Sequence, residues 1–260
     1  MDGRGGRIFF DQNRAPTMRH FLYLLYQPYK WLIVIPFLLL STLFLGGVAI
    51  VIATTVSPKL ASKTCGVWWS RFNSFMTPMF VSVRGRRHID ERQSYVIVSN
   101  HLSHYDIFVL YGWLGIDFKW IMKQELRKLP VVGIVCERLG HIYIDRSNTK
   151  AAVESINRAK KRVVNGTSVI FFPEGTRSQT GELLPFKKGA FKMARDLNLP
   201  ILPVTIVGTN KILPTNSLDL FPGYAQMIIH PPVDINAYPK DNFKPLMEDV
   251  RSIIQSGILT

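Results

Sequence analysis

The chain has 260 residues, and 32 Lys+Arg against 18 Asp+Glu give a formal net charge of +14 at pH 7. With 47% hydrophobic and only 19% charged residues, it is no disordered polycation, which would combine high charge with few apolar groups. The two cysteines, Cys65 and Cys136, exclude a disulfide scaffold and any multi-cysteine metal site; Cys136 reads as a small buried hydrophobe.

The first predicted element is the uncharged run Trp31–Val56, WLIVIPFLLLSTLFLGGVAIVIATTV. About 20 apolar helical residues cross a hydrocarbon core, so the run is long enough to span with tilt. It is too long for the apolar region of a secretory signal, follows a long flank and lacks an Ala-x-Ala cleavage site. Its length also argues against a buried helix of a water-soluble protein. Positive residues stand on both sides: Arg4, Arg7, Arg14, Arg19 and Lys30 before it, and Lys59, Lys63, Arg71, Arg84, Arg86 and Arg87 after it. The flanks therefore give no asymmetry from which to orient a span. Pro36 and Gly46-Gly47 are places where such a helix kinks or breaks. Either the run crosses once, or it dips in and returns so that both basic flanks meet one anionic leaflet. Tyr23, Tyr26, Tyr29 and Trp31 on one side and Trp68, Trp69, Phe72, Phe75 and Phe80 on the other suit an interfacial belt. Leu60–Phe80 reads either as an amphipathic surface helix or as an ordinary core helix. Residues 1–80 are thus assigned to a basic, membrane-binding helical region and 81–260 to a separate domain.

In the second part, β-branched or aromatic strands are predicted at Tyr95–Val98, Ser168–Phe172, Ile201–Val207 and Ala225–Ile229. One helix is expected after Asn148, carrying Val153, Ile156 and Val163 and stopping at Gly166. A second follows Lys187 with Ala190, Phe191, Ala194 and Leu197 at helical spacing and ends before Pro200. Strands alternating with helices predict an α/β domain, and ligands in such domains meet the carboxyl ends of the strands.

Two such ends carry chemistry. After Tyr95–Val98 come His101 and Asp106. On one regular helix this spacing turns about 140°, so the side chains would diverge. They meet if His101 lies in the strand-to-helix turn and Asp106 in the first helical turn. The carboxylate would then fix one ring nitrogen and leave the other as a general base. The spacing alone is a common one, and a structural histidine at a strand end would share it. After Ser168–Phe172 comes Pro173-Glu174-Gly175-Thr176-Arg177, in which proline stops the strand and glycine permits a tight turn. Arg177 suits a phosphate monoester through its planar fork, with Glu174 orienting it or a substrate hydroxyl. By itself, the turn is equally a surface loop with a solvated arginine. Lys123, Arg146 and Lys187-Lys188 place further cations near element ends. Gly-x-Ser-x-Gly, the phosphate-binding Gly-x4-Gly-Lys loop, His-Glu-x-x-His and Cys-x-x-Cys are all absent.

Taken together, these residues resemble the glycerolipid acyltransferases, specifically the 1-acylglycerol-3-phosphate (lysophosphatidate) acyltransferases. The resemblance covers about residues 80–215 and rests on an ordered set of blocks. These are Asn100-His101-x4-Asp106, Lys123-x-Glu125-Leu126, Ile144-Asp145-Arg146, Phe172–Ser178, Leu184-Pro185-Phe186-Lys187-x-Gly189-Ala190-Phe191 and Ile201–Val204. Leu102 stands where the family frequently has glutamine, with little consequence expected for the proton relay.

The resemblance implies a central mixed sheet flanked by helices, preceded by a membrane-binding helical segment. It implies acyl transfer from acyl-CoA or acyl-acyl carrier protein to the 2-hydroxyl of lysophosphatidate, giving phosphatidate without an acyl-enzyme. His101 and Asp106 are then catalytic, and Glu174, Gly175, Thr176 and Arg177 belong to glycerol-phosphate recognition. Lys123, Arg146 and Lys187 join the same substrate site. No metal and no cofactor beyond the thioester co-substrate are expected. The partners are membrane lipids and the two substrates, not nucleic acid, with the second domain on the cytoplasmic face of a membrane. Three rival readings explain parts of the sequence. One is a related acyltransferase for glycerol 3-phosphate or another lysophospholipid, and one is a thioesterase whose His–Asp base activates water. The third is a non-enzymatic, membrane-anchored module that binds anionic lipid, which leaves the His101 and Glu174 blocks unexplained.

Overall fold

The computed structural model describes residues 18–145, 154, 155, 157, 163 and 166–259. Arg146 lies outside the described residues, as does most of the helix expected after Asn148; of that segment, Val163 is buried and Gly166 takes φ +76°.

The described residues begin with one long helical stretch. Helix α1 (Met18–Tyr29) passes through a π-turn at Lys30–Val34 into α2 (Ile35–Thr55). Pro36 lies inside this continuous helical stretch, where it lacks the N–H that would bond the preceding turn, and the π-turn at Lys30–Val34 falls directly before it. Gly46-Gly47 does not break the helix; Gly46 instead admits Val135 and Val131, whose methyls would lie 3.1 and 3.3 Å from a Cβ there. Ser57 caps the next helix through Lys59 N–H and Leu60 N–H and turns the chain back. The return leg is α3 (Pro58–Ala61), a second π-turn at Ser62–Gly66, and α4 (Val67–Met76). It buries Ala61, Cys65, Ser70, Asn73 and Ser74 and exposes Leu60, Trp68, Phe72 and Phe75. The stretch Leu60–Phe80 is therefore helical only to Met76, and Phe80 already belongs to a strand.

Seven strands form one mixed sheet: β1 Met79–Arg84, β2 Val96–Ser99, β3 Asp117–Lys123, β4 Ile142–Ile144, β5 Thr167–Phe171, β6 Ile201–Val207 and β7 Gly223–Ile229. Their order is β1-β7-β6-β2-β5-β3-β4. All neighbours are parallel except β6 and β7, so β1 and β7 run opposite to the other five. Of the four expected strands, Ile201–Val207 has the expected bounds and the other three have ends moved by one or two residues, and β1, β3 and β4 are additional.

The other α-helices with described bounds are α5 (Asp106–Trp113), α6 (Val132–Arg138), α7 (Gly189–Leu197), the single turn α8 (Thr209–Ile212) and α9 (Lys244–Ile258). Alternation along the strands sends side chains to two faces. On one face Ile97, Phe118, Ile170, Val204 and Met227 meet Phe108, Val109 and Leu110 of α5, backed by Tyr26, Tyr29, Leu38 and Trp69 of the helical hairpin. On the other, Val96, Val98, Val169 and Ile201 meet Ala190, Phe191 and Ala194 of α7 and Leu246, Val250 and Ile254 of α9. The sheet is thus held rigidly between helices, and β2, β3, β4, β5 and β6 all end at one edge.

Candidate active site

The site lies at that edge. Strand β2 stops at Ser99, and Asn100 fastens the chain to β6 through two bonds, Nδ2–H to Ile206 O and Ile206 N–H to Oδ1, each 2.8 Å. The turn from His101 to Tyr105 then feeds α5, whose first residue is Asp106. His101 Nδ1 lies 2.7 Å from Asp106 Oδ2, which also accepts Leu102 N–H at 2.7 Å and Ser103 N–H at 3.0 Å. Thr209 Oγ1 donates to the other oxygen, Oδ1, at 2.5 Å. Asp106 is completely buried. Four donors and the positive end of α5 offset the cost of burying its charge. An ionised acceptor at this position makes Nδ1 the protonated nitrogen and leaves Nε2 with a lone pair.

The imidazole is fixed on its flat side as well. Phe172, the residue after β5, stacks on it with ring centroids 3.8 Å apart and planes 7° from parallel. Sheet register accounts for the next contact. Val98 pairs with Phe171 in parallel alignment, so three residues further on His101 stands beside Glu174. Glu174 Oε1 accepts His101 N–H at 2.7 Å, and Oε2 accepts Leu184 N–H at 2.9 Å. Both oxygens are thus occupied by backbone amides, and the buried carboxylate braces the histidine turn against the 184 segment. Burial pushes the Glu174 carboxyl up to about 7, against the pull of those two amides.

The turn after Glu174 gathers cations. Gly175 takes φ +76°, and a Cβ on it would fall 2.6 Å from Lys187 Nζ. The left-handed φ is what favours glycine here, and the missing Cβ leaves room for the lysine to lie over the turn. Lys187 N–H also bonds Pro173 O at 2.9 Å, and Ser178 N–H bonds His101 O at 2.9 Å. Arg177 is partly exposed and near His104. Partial desolvation, then Arg177 and His101, hold that imidazole below its usual value even though its edge is open to solvent. Thr176 is exposed beside them. Lys123 ends β3 at the same edge, two places from β2 in the sheet order. The β3–β5 register, Trp120 with Ile170, sets it level with Pro173.

The structure therefore brings together His101, Asp106, Glu174, Gly175, Thr176, Arg177 and Lys187, with exposed Lys123 further along the edge. Sequence spacing does not reveal the Phe172 stack, the Glu174–His101 bond or Thr209. The first two follow from the pairing of β2 with β5, and the third from the pairing of β2 with β6. Chemically, the arrangement offers a buffered general base beside guanidinium and ammonium groups, suited to deprotonating a hydroxyl on a phosphorylated molecule.

Residues 80–207 match the family model described as Acyltransferase. A chloroplastic 1-acyl-sn-glycerol-3-phosphate acyltransferase of Brassica napus is 42% identical over 139 residues, covering 53% of this chain and 40% of that protein. The alpha 1-acyl-sn-glycerol-3-phosphate acyltransferase of Mus musculus is 34% identical over 173 residues, 66% of this chain and 61% of that protein. The chain thus matches less than two thirds of the length of either relative. The crystal structure of the 1-acyl-sn-glycerophosphate acyltransferase PlsC from Thermotoga maritima superimposes with a TM-score of 0.76 at 28% identity. That match covers 92% of this chain and 96% of the other.

Proposed function

The chain belongs to the acyltransferase family through its 80–207 domain, and on that premise we propose that it acylates the 2-hydroxyl of a 1-acylglycerol 3-phosphate from an acyl thioester, giving phosphatidate. The observation that carries this reading is the His101–Asp106 pair, 2.7 Å apart, set beside Arg177 and Lys187 at one sheet edge. His101 Nε2 takes the hydroxyl proton as the oxygen attacks the thioester carbonyl, and Asp106 stabilises the imidazolium that forms. The tetrahedral adduct then expels the thiolate, which recovers the proton from His101. One ester forms, one thioester breaks and no acyl-enzyme intervenes. General-base action of this kind contributes about 10²–10⁴-fold.

Arg177, Lys187 and Lys123 hold the phosphate, with Arg146 assigned to the same task by its sequence block. Glu174 acts through the backbone of the histidine turn, and Gly175 and Thr176 shape the phosphate loop. Acyl-CoA or acyl-acyl carrier protein supplies the thioester, and no further cofactor is required.

The acceptor is a membrane lipid, and the helical hairpin suits delivery from a bilayer. Tyr23–Thr55 is long and apolar enough to span, but the folded domain and the return leg of the hairpin hold it at several points along its length. Tyr23 Oη bonds Asp219 at 2.9 Å, Lys30 Nζ bonds Leu218 O at 3.1 Å, and Asn73 Nδ2 bonds Ser41 Oγ at 3.0 Å. Gly46 packs on Val131 and Val135. A helix tied at both its start and its middle to the same folded domain favours lying in one leaflet over threading both. Its outer face, with Leu32, Leu40, Phe44 and Val51 exposed, then enters the acyl region, and both basic flanks meet the same headgroups. The catalytic edge faces the cytoplasmic leaflet in this reading.

Competition tests the headgroup assignment. Purified chain given acyl-CoA and equimolar lysophosphatidate and monoacylglycerol is expected to consume the lysophosphatidate first. Equal consumption would remove the role given to Arg177 and Lys187.

A further inference from the structure

Segment 206–215 grips the turn that carries His101. Asn100 pairs with both backbone groups of Ile206, Ser103 Oγ–H bonds Leu213 O at 2.7 Å, and Thr215 Oγ1–H bonds Leu102 O at 3.0 Å. Within this grip one side chain reaches the proton relay itself. Thr209, fully buried, donates its hydroxyl to Asp106 Oδ1 at 2.5 Å from 103 residues away. The backbone is built to deliver it. Gly208 takes φ +91°, and a Cβ there would meet Tyr224 O at 2.3 Å, so only glycine makes the bend that carries the chain from β6 into Thr209. Asn100 fixes β6 in register with the histidine turn, three residues before Thr209. The match to the acyltransferase family model ends at Val207, short of this residue.

From this geometry we infer that Thr209 is a positioning residue for the acyl-transfer base, the third member of a Thr209–Asp106–His101 relay. Its proton occupies the carboxylate oxygen that His101 does not use, so Oδ2 is held on Nδ1 and the carboxylate cannot rotate. It also disperses the negative charge and thereby sets how strongly Asp106 holds the imidazolium. Glu174, His104 and Arg177 are the other ionisable groups around the pair, and none of them bonds Oδ1 among the described residues. The inference rests on His101 acting as the base, and Thr209 does not touch the reacting atoms.

The test is Thr209→Val, nearly isosteric without the hydroxyl, against Thr209→Ser, which keeps it. Without the hydroxyl the carboxylate is free to turn and the imidazole it holds is misplaced, which predicts a kcat lower by about 10- to 100-fold in the valine variant, with the KM for lysophosphatidate unchanged. Removing a donor from the carboxylate is also expected to move the acidic limb of kcat/KM upward. Serine restores both the rate and the limb. If valine prevents folding, Thr209→Ala replaces it in the same comparison. A folded valine or alanine variant with wild-type kcat and pH profile overturns the proposal, as does a serine variant no better than it. The Nδ1 proton resonance of His101 separates this failure from failure of the base reading, because it is read without turnover. It is expected to move when the hydroxyl is removed, and an unmoved resonance refutes the relay even in a chain that transfers no acyl group.

Discussion

Asp106→Asn isolates the charge in the His101 relay from its geometry. The asparagine oxygen can occupy the Oδ2 position and keep the bonds from His101 Nδ1, Leu102 N–H and Ser103 N–H. Its amide then points at Thr209 Oγ1, and a hydroxyl that donates to the aspartate can turn and accept from the amide. The variant therefore folds with the same tautomer at His101 and loses only the negative charge. Bonds to charged groups contribute about 1.5–3 kcal/mol against about 1 for neutral ones, so stability falls by about 1–3 kcal/mol. For a domain of this size that lowers the melting midpoint by roughly 2–10 °C. In the transition state the imidazolium loses a partner about 4 Å away between charge centres. At an effective dielectric of about 20 this is about 4 kcal/mol, or roughly a thousandfold in kcat. Thiol release from acyl-CoA with saturating lysophosphatidate measures kcat, and circular dichroism follows the melt. A folded Asp106→Asn protein within tenfold of wild-type kcat would refute the reasoning.

Other perturbations reach different parts of the account. Arg177→Ala should raise the KM for lysophosphatidate by about 10- to 100-fold, the loss expected for a charge-assisted phosphate contact. It should leave acylation of monoacylglycerol unchanged; parallel losses for both acceptors would contradict phosphate recognition. Glu174 titrates near 7 when folded against an ordinary 4.5, so the folded protein takes up a proton as pH falls between these values. Its contribution to stability is fullest below 4.5 and is lost as pH rises through 7. Melting wild type and Glu174→Gln at pH 5 and pH 8 should show the difference shifting toward wild type at pH 5, whereas a constant difference argues against it. Leu40 and Phe44, 65% and 71% exposed on the hairpin, have little packing to lose. Leu40→Asp with Phe44→Asp should keep the melting midpoint and strongly reduce sedimentation with anionic vesicles, and undiminished sedimentation would move the membrane contact elsewhere.

What the sequence disclosed and what it hid have physical causes. β6 was legible because all its side chains but Thr205 are apolar and its ends are punctuated by Pro200 and Gly208. β3, read as DFKWIMK, was not, because its charges are internal. Asp117 and Lys119 are both buried, bonded to each other at 3.1 Å, with Thr167 donating to Asp117 at 3.0 Å, and such a pair breaks the hydrophobic alternation that marks a strand. β4 is only Ile142–Ile144, too short to carry a period. β1 was hidden behind aromatic residues that read equally well as the end of a helix. At the site, His101 and Asp106 are neighbours in the chain, so their meeting could be anticipated from a strand-to-helix turn. Glu174 was visible as a motif residue, but its work on His101 N–H depends on the β2–β5 register, which no local pattern contains.

The central claim is a chemical one, and product identification tests it most directly. Purified chain is incubated with acyl-CoA or acyl-acyl carrier protein and lysophosphatidate in mixed micelles, and the lipids are identified by mass spectrometry while free thiol is counted. The account predicts phosphatidate equimolar with released thiol, and loss of both products in His101→Ala. Free fatty acid in place of phosphatidate, or equal turnover by His101→Ala, would contradict it.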